Sequence, residues 1–278
     1  SLRMARLIPS LDQDRLTFWR SGLRVGSFDL MTMNTDGTIA EDPADYLLGP
    51  LVRKPPFILG PVEPNSHFMN SVLGPIFVCP TSDGKSFYLS GVYAAKTIYG
   101  TVREIDLKGF WRDGQVWKVD MQTRSAKVFF ALDKRDVPIT RKERNAAYGG
   151  LNGYAAIHGV AVSEDGHVFV CDRLHKRIIV LDDQGKSVRE ISIEHPDAIA
   201  VSKKTVVLYV TTRDGGYHRR GTVQLLKYKD WRKDNEPAEI IKVSKTGYTR
   251  QQTHSHLVVC DTEKGSNVWV AHTQMPIR

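Results

Sequence analysis

Residues 154–193 read YAAIHGVAVSEDGHVFVCDRLHKRIIVLDDQGKSVREISI. Four short apolar runs, 157–162, 168–171, 177–181 and 188–193, are rich in Val and Ile. Polar turns separate them: Glu164-Asp165-Gly166, Arg173-Leu174-His175 and 182–185, which ends on Gly185. Asp-Gly between apolar runs signals a hairpin, because glycine takes the positive φ that tight turns demand. Runs of four to six residues have the length of strands and are too short for stable helices. The stretch therefore predicts a four-stranded antiparallel meander of about 40 residues.

One meander leaves its faces unburied, so a fold built on it needs copies. The run Val168-Phe169-Val170-Cys171 recurs as Leu208-Tyr209-Val210-Thr211, as Val268-Trp269-Val270-Ala271 and as Phe87-Tyr88-Leu89-Ser90. Each copy carries an aromatic in second place between two apolar residues. Each follows a matching first strand, at 158–163, 197–202, 256–261 and 75–80. From the start of the first strand to the end of the second, the copies run 158 to 173, 197 to 213, 256 to 273 and 75 to 92. Unrelated strands would not keep so constant a spacing. The expected fold is all-β: a β-propeller of four-stranded antiparallel blades.

Composition agrees with a folded domain of this size, at 41% hydrophobic and 25% charged residues over 278. No run of about 18 apolar residues is present, so no membrane-spanning helix is expected. The formal net charge of +8 favours anionic partners. Cys79, Cys171 and Cys260 fall on predicted strands without a CxxC or CxxCH pattern, and read as small buried hydrophobes. Ser1-Leu2-Arg3-Met4 reads as a trimmed or appended end, and the expected location is secreted or periplasmic.

Taken in order, residues 1–70 hold N-terminal strands and a Pro-rich excursion that belong to the propeller, and 71–278 hold its blades. A strand is expected near 15–19 and another from 28, closed by Asp36-Gly37. Aligned on that turn, Asp29 falls where His158 falls in the organising repeat. Prolines 43, 50, 55, 56, 61 and 64 exclude helix or central strand from 41–64. The next blade has strands at 76–79, 87–90, 115–120 and 127–132, with 93–114 inserted as a long loop. A basic loop follows at 134–144, with a short helix over 140–147 as an alternative. Another blade spans 196–243, with strands at 198–201, 206–211, 222–228 and 239–243. The final unit begins at Ser255 and provides two strands.

First strands line a propeller's channel, so His158, Asp197 and His256 are expected near one channel mouth, with Tyr93 and Arg173 on adjoining loops. Imidazoles and carboxylates converging on an axis suit a divalent metal, zinc or calcium. The competing reading makes the two histidines hydrogen-bonded channel residues. The aromatics Tyr88, Phe169, Tyr209 and Trp269 are expected between adjacent blades.

The second-strand ending Cys171-Asp172-Arg173 and the third-strand opening Lys176-Arg177-Ile178 resemble the NHL repeat. The resemblance is good over 154–193 and fair over 75–133 and 196–243, and it implies a six-bladed propeller. Within NHL-like propellers the chain is similar to the peptidyl-α-hydroxyglycine α-amidating lyases. That likeness implies a zinc held by His158 and His256, with Arg173 and Tyr93 in the active site. The family's third histidine is matched by none here; Asp29 stands near its position.

The expected function is a candidate metal or ligand site at the channel mouth, acting as a lyase or hydrolase on a small or peptide-like anionic substrate. The alternative is a non-catalytic NHL scaffold that binds a protein partner or single-stranded nucleic acid. Basic clusters with aromatics at 213–220 and 227–232 carry the nucleic-acid version.

Overall fold

Short β-branched and aromatic runs bounded by glycine turns satisfy their backbone by pairing with neighbours in sequence, and among the described residues of the computed structural model every element is a strand. The structure describes the backbone of residues 5–9, 15–21, 28–34, 68–73, 77–91, 93–98, 101–104, 113–120, 126–138, 155–213, 222–245, 255–263 and 265–272. Side chains are described within 77–91, 113–120, 127–138, 155–213, 222–243, 257–263 and 265–270. The proline-rich stretch 41–64, the alternative helix at 140–147 and the basic loop 214–220 lie outside these residues. No helix among the described residues is long and apolar enough to cross a membrane.

Strands β1 (Ala5–Pro9), β2 (Arg15–Ser21) and β3 (Phe28–Asn34) form an antiparallel three-stranded sheet. β4 (Phe68–Leu73), β5 (Phe77–Pro80) and β6 (Ser86–Ser90) follow. Next come β7 (Tyr93–Ile98), β8 (Thr101–Glu104), β9 (Gln115–Asp120) and β10 (Ala126–Ala131). β5, β6, β9 and β10 make one four-stranded blade, in that spatial order. β11 (Ile157–Val162), β12 (Val168–Asp172), β13 (Arg177–Leu181) and β14 (Ser187–Ser192) make the next. A third consists of β15 (Pro196–Val201), β16 (Leu208–Arg213), β17 (Thr222–Tyr228) and β18 (Glu239–Lys245). β19 (Ser255–Thr262) and β20 (Gly265–His272) close the described chain as a hairpin.

The first strands lie side by side in chain order, β5 against β11, β11 against β15 and β15 against β19. Meanders whose first strands are neighbours fan outward from a common axis, which is the architecture of a β-propeller. Burial follows from it. β11 and β12 are buried at every position because blades cover both faces, whereas the outermost strand β14 is largely exposed. One core joins the blade of β5, β6, β9 and β10 to the β11–β14 blade through Tyr88, Val116, Leu132, Val160, Val168 and Val170. A second joins the β11–β14 and β15–β18 blades, where Phe169 meets Trp231 edge-on with ring centroids 5.0 Å apart.

Three differences from the sequence expectations stand out. The insertion 93–114 is not simply a loop: β7 and β8 pair with each other, and β7 pairs with β4 in a separate three-stranded sheet. β3 is the third strand of its sheet, so Asp29 does not open a blade as the Asp-Gly alignment implied. Trp269 is 68% exposed although Phe169, Tyr88 and Tyr209 are buried, because β20 has no third strand and no following blade among the described residues. Cys260 is likewise exposed, while Cys171 is buried as expected.

Candidate functional site at the channel mouth

The site begins with a repeated irregularity in the backbone. Pairing of β11 with β12 passes from Ile157↔Asp172 to Val160↔Val170, so His158 and Gly159 together oppose Cys171. Pairing of β15 with β16 passes from Pro196↔Thr212 to Ile199↔Val210, so Asp197 and Ala198 oppose Thr211. A bulge of two residues against one bends the strand and re-aims a side chain. Thr211 Oγ1 accepts from the Ala198 amide at 3.0 Å, which satisfies a donor that the interrupted ladder leaves over. At Gly159 a Cβ would stand 2.7 Å from the Asp197 carbonyl oxygen and 2.9 Å from the Ile199 nitrogen. Only glycine lets the two first strands approach this closely.

The two bulges bring His158 and Asp197 together across the blade boundary. Nδ1 of His158 lies 2.9 Å from Oδ1 of Asp197, and neither side chain is exposed. Burial holds the imidazole below its ordinary pKa, opposed by the Asp197 carboxylate and reinforced by the charges of Arg173 and Arg213. A neutral ring beside a carboxylate donates Nδ1–H to it, which fixes the tautomer and puts the lone pair on Nε2. The preceding blade joins in: Ser90 Oγ donates to the His158 carbonyl at 2.5 Å, and the Phe77 ring lies 5.8 Å from the imidazole.

Arg173 is buried, and its guanidinium faces backbone. It donates to the His195 carbonyl at 3.1 Å and to the Arg213 carbonyl at 3.0 Å, tying the loops of adjacent blades. The turn that carries it is held by Asp172, whose carboxylate accepts from the His175 amide, from His175 Nδ1 at 2.8 Å and from Arg177 Nε at 2.8 Å. On the other side Asp113, fully buried, accepts from the Gly114 and Ala156 amides at 2.8 Å each.

Of the residues singled out from sequence, the structure brings His158, Asp197 and Arg173 into one cluster. Tyr93 opens β7 opposite Leu73, in the separate sheet. His256 is the second residue of β19 and pairs with Ala271, and β19 runs along β20 without a register shift. The side chains of Tyr93 and His256 lie outside the described residues. Ser90 and Asp113 went unnoticed in the sequence, and Arg213 was read only as part of the basic cluster 213–220. Arg213 carried a signal, since it ends its strand where Arg173 follows β12; Ser90 stands at the repeat position of Cys171. Among the described residues no group of three His, Cys, Asp or Glu could hold a metal ion.

The basic cluster at 227–232 is drawn into the fold. Trp231 is buried against Phe169, and the Arg232 guanidinium covers its ring at 5.2 Å while reaching Asp165 at 3.1 Å. Lys227 pairs with Glu239 at 3.6 Å.

No protein-family model and no curated protein matches this chain. Solved structures do. Regucalcin, a calcium-binding protein from Agrobacterium tumefaciens, matches 75% of this chain at 14% identity and a TM-score of 0.37. The chain spans only 52% of the regucalcin chain. A catalytically inactive virginiamycin B lyase from Staphylococcus aureus, solved with quinupristin, matches 97% of this chain and 78% of its own, at 14% identity and a TM-score of 0.44. The Dos1 propeller matches 87% of this chain and 48% of its own, at 14% identity and a TM-score of 0.39. At such scores these likenesses carry no argument beyond the strand pairing itself, and activity has to be argued from the site.

Proposed function

We propose that the channel mouth around His158 is the working site of an NHL-like propeller that holds a divalent cation and acts, as a lyase or hydrolase, on a small or peptide-like anionic substrate. The bond from His158 Nδ1 to Asp197 carries this reading. Proteins orient a ligating histidine by giving its other ring nitrogen to a carboxylate, which fixes the tautomer and raises ligand basicity. Asp197 then has an orienting role rather than a coordinating one. At 2.9 Å the pair is closer than the roughly 3.3 Å expected of two ligands on a tetrahedral zinc. The donors described fit one histidine ligand and its carboxylate partner. His256, on the first strand of the unit after next, is the second ligand that the repeat offers. A bound cation would polarise a substrate oxygen or acidify a bound water. The chain itself supplies a neutral imidazole at His158, a positive bias from Arg173 and Arg213 that favours an anionic substrate, and Tyr93 as the candidate for proton transfer.

A second reading, a non-catalytic scaffold binding a protein partner or nucleic acid, is favoured by one observation. Arg173 bonds two backbone carbonyls and so interlocks loops, where the first reading needs it to hold a substrate anion. Metal analysis of the purified protein decides between them. Stoichiometric divalent metal, lost in both His158→Ala and His256→Ala, supports the cation site. Metal-free protein with its fold intact assigns the cluster to the scaffold.

A further inference from the structure

The β11–β14 and β15–β18 blades leave a cleft of about 280 Å³ between them. Three turns line it. The turn after β11 brings Glu164 and Asp165, the turn after β15 brings Lys203 and Lys204, and the turn after β17 brings Trp231 and Arg232. These turns follow the ends of β11 and β15 away from the bulges of His158 and Asp197, so the cleft is separate from the channel mouth. Its walls are held by groups of the fold. Asp261 of the next unit accepts from Ser202 Oγ at 2.7 Å and from the Lys203 and Lys204 amides at 2.8 and 3.3 Å, which fixes the lysine turn. The facing turn closes on itself, with the His167 amide donating to Ser163 Oγ at 3.0 Å. The Trp231 amide donates to the Val206 carbonyl at 3.1 Å and joins the third turn to the second. Walls fixed in advance lower the cost of ordering a site around a ligand.

The charges of the cleft are divided between its walls. Asp165 is satisfied within the fold, accepting from Ser163 Oγ and from Arg232 Nη2 at 3.1 Å, with His167 Nδ1 also 3.1 Å away, and that contact neutralises Arg232. Glu164 remains on one wall and Lys203 and Lys204 on the facing one, all three exposed. Among the described residues none of the three is in an ion pair, so unlike charges face each other across the cleft without meeting. We propose that the cleft takes a small zwitterion, an amino acid or dipeptide, with its carboxylate on Lys203 and Lys204 and its ammonium on Glu164. Such a ligand answers both walls at once, whereas a simple anion meets Glu164 and a simple cation meets two lysines. The volume limits the size of the occupant, since it falls just below the roughly 300–1,000 Å³ of ordinary small-molecule sites.

Titration of the intact, isotope-labelled chain with glycylglycine tests this, read from the backbone amide signals of Glu164, Lys203 and Thr205. The expected result is a saturable shift of those signals. N-acetylglycylglycine, which lacks the ammonium, and glycylglycinamide, which lacks the carboxylate, should each bind about fivefold more weakly, the upper end for one partly exposed charge contact. Glu164→Gln should abolish the preference over the acetylated analogue, and Lys203→Gln with Lys204→Gln the preference over the amide. Absence of a saturable shift overturns the proposal. Equal binding of the acetylated analogue overturns it in favour of a plain anion site, and equal binding of the amide in favour of a plain cation site. Shifts that persist unchanged in both variants overturn it as well, because the dipeptide then binds elsewhere. Should the double lysine variant disturb signals beyond the cleft, the analogue preferences of the wild type and of Glu164→Gln still decide.

Discussion

At the residue scale, the proposed site turns on one imidazole with no exposed surface beside one carboxylate with none. Burial depresses the His158 pKa more than Asp197 raises it, so the ring is neutral in the fold. An unfolded histidine titrates near 6.5. The unfolded chain therefore binds the proton first as pH falls, and the stability from a neutral His158 is present above about 6.5 and lost progressively as pH falls from there through the lower folded-state pKa. Urea midpoints measured between pH 7.5 and 5 should fall, and His158→Gln should flatten that part of the profile. Asp261 contributes at lower pH. Burial would raise its pKa, but bonds from Ser266, Ser202 and the amides of Lys203 and Lys204 outweigh that and lower it, so its stabilisation disappears as the carboxylate becomes protonated.

At the scale of elements, the bulges matter most. Without the extra residue in β11 and β15, His158 and Asp197 would follow the regular alternation of side chains. Gly159 permits the close approach. Gly159→Ala should destabilise the protein by about 1–3 kcal/mol in chemical denaturation, since a methyl there strikes backbone rather than a movable side chain. Strand positions were legible in the sequence because alternation and Gly turns state them directly; β11 and β13 fall where the apolar runs put them. The bulges were not, since an inserted residue leaves the apolar pattern intact. The β7–β8 hairpin was missed although its signal was there: in the sequence the β-forming pairs Thr97-Ile98 and Thr101-Val102 stand on either side of a glycine, Gly100.

At the scale of the molecule, the proposed site depends on neighbouring blades meeting at the axis. Repeat equivalence made that much readable: His158 and Asp197 open successive units and do meet. It could not reveal that Arg173 would serve neighbouring carbonyls, or that Ser90 would reach the His158 carbonyl from the preceding blade, because such contacts depend on how blades rotate against each other. The exposure of Trp269 belongs to this scale as well, since one unit's inner aromatic is buried only by the next.

The β11–β14 and β15–β18 blades are joined by the His158–Asp197 bond, and a double-mutant cycle measures that bond. His158→Gln, Asp197→Asn and the double variant would be compared by equilibrium unfolding at pH 7.5. The predicted coupling is about 1–3 kcal/mol, as for groups in direct contact within one network. Free-energy changes that add to within about 0.5 kcal/mol would mean that the two side chains do not meet, and would contradict the site described.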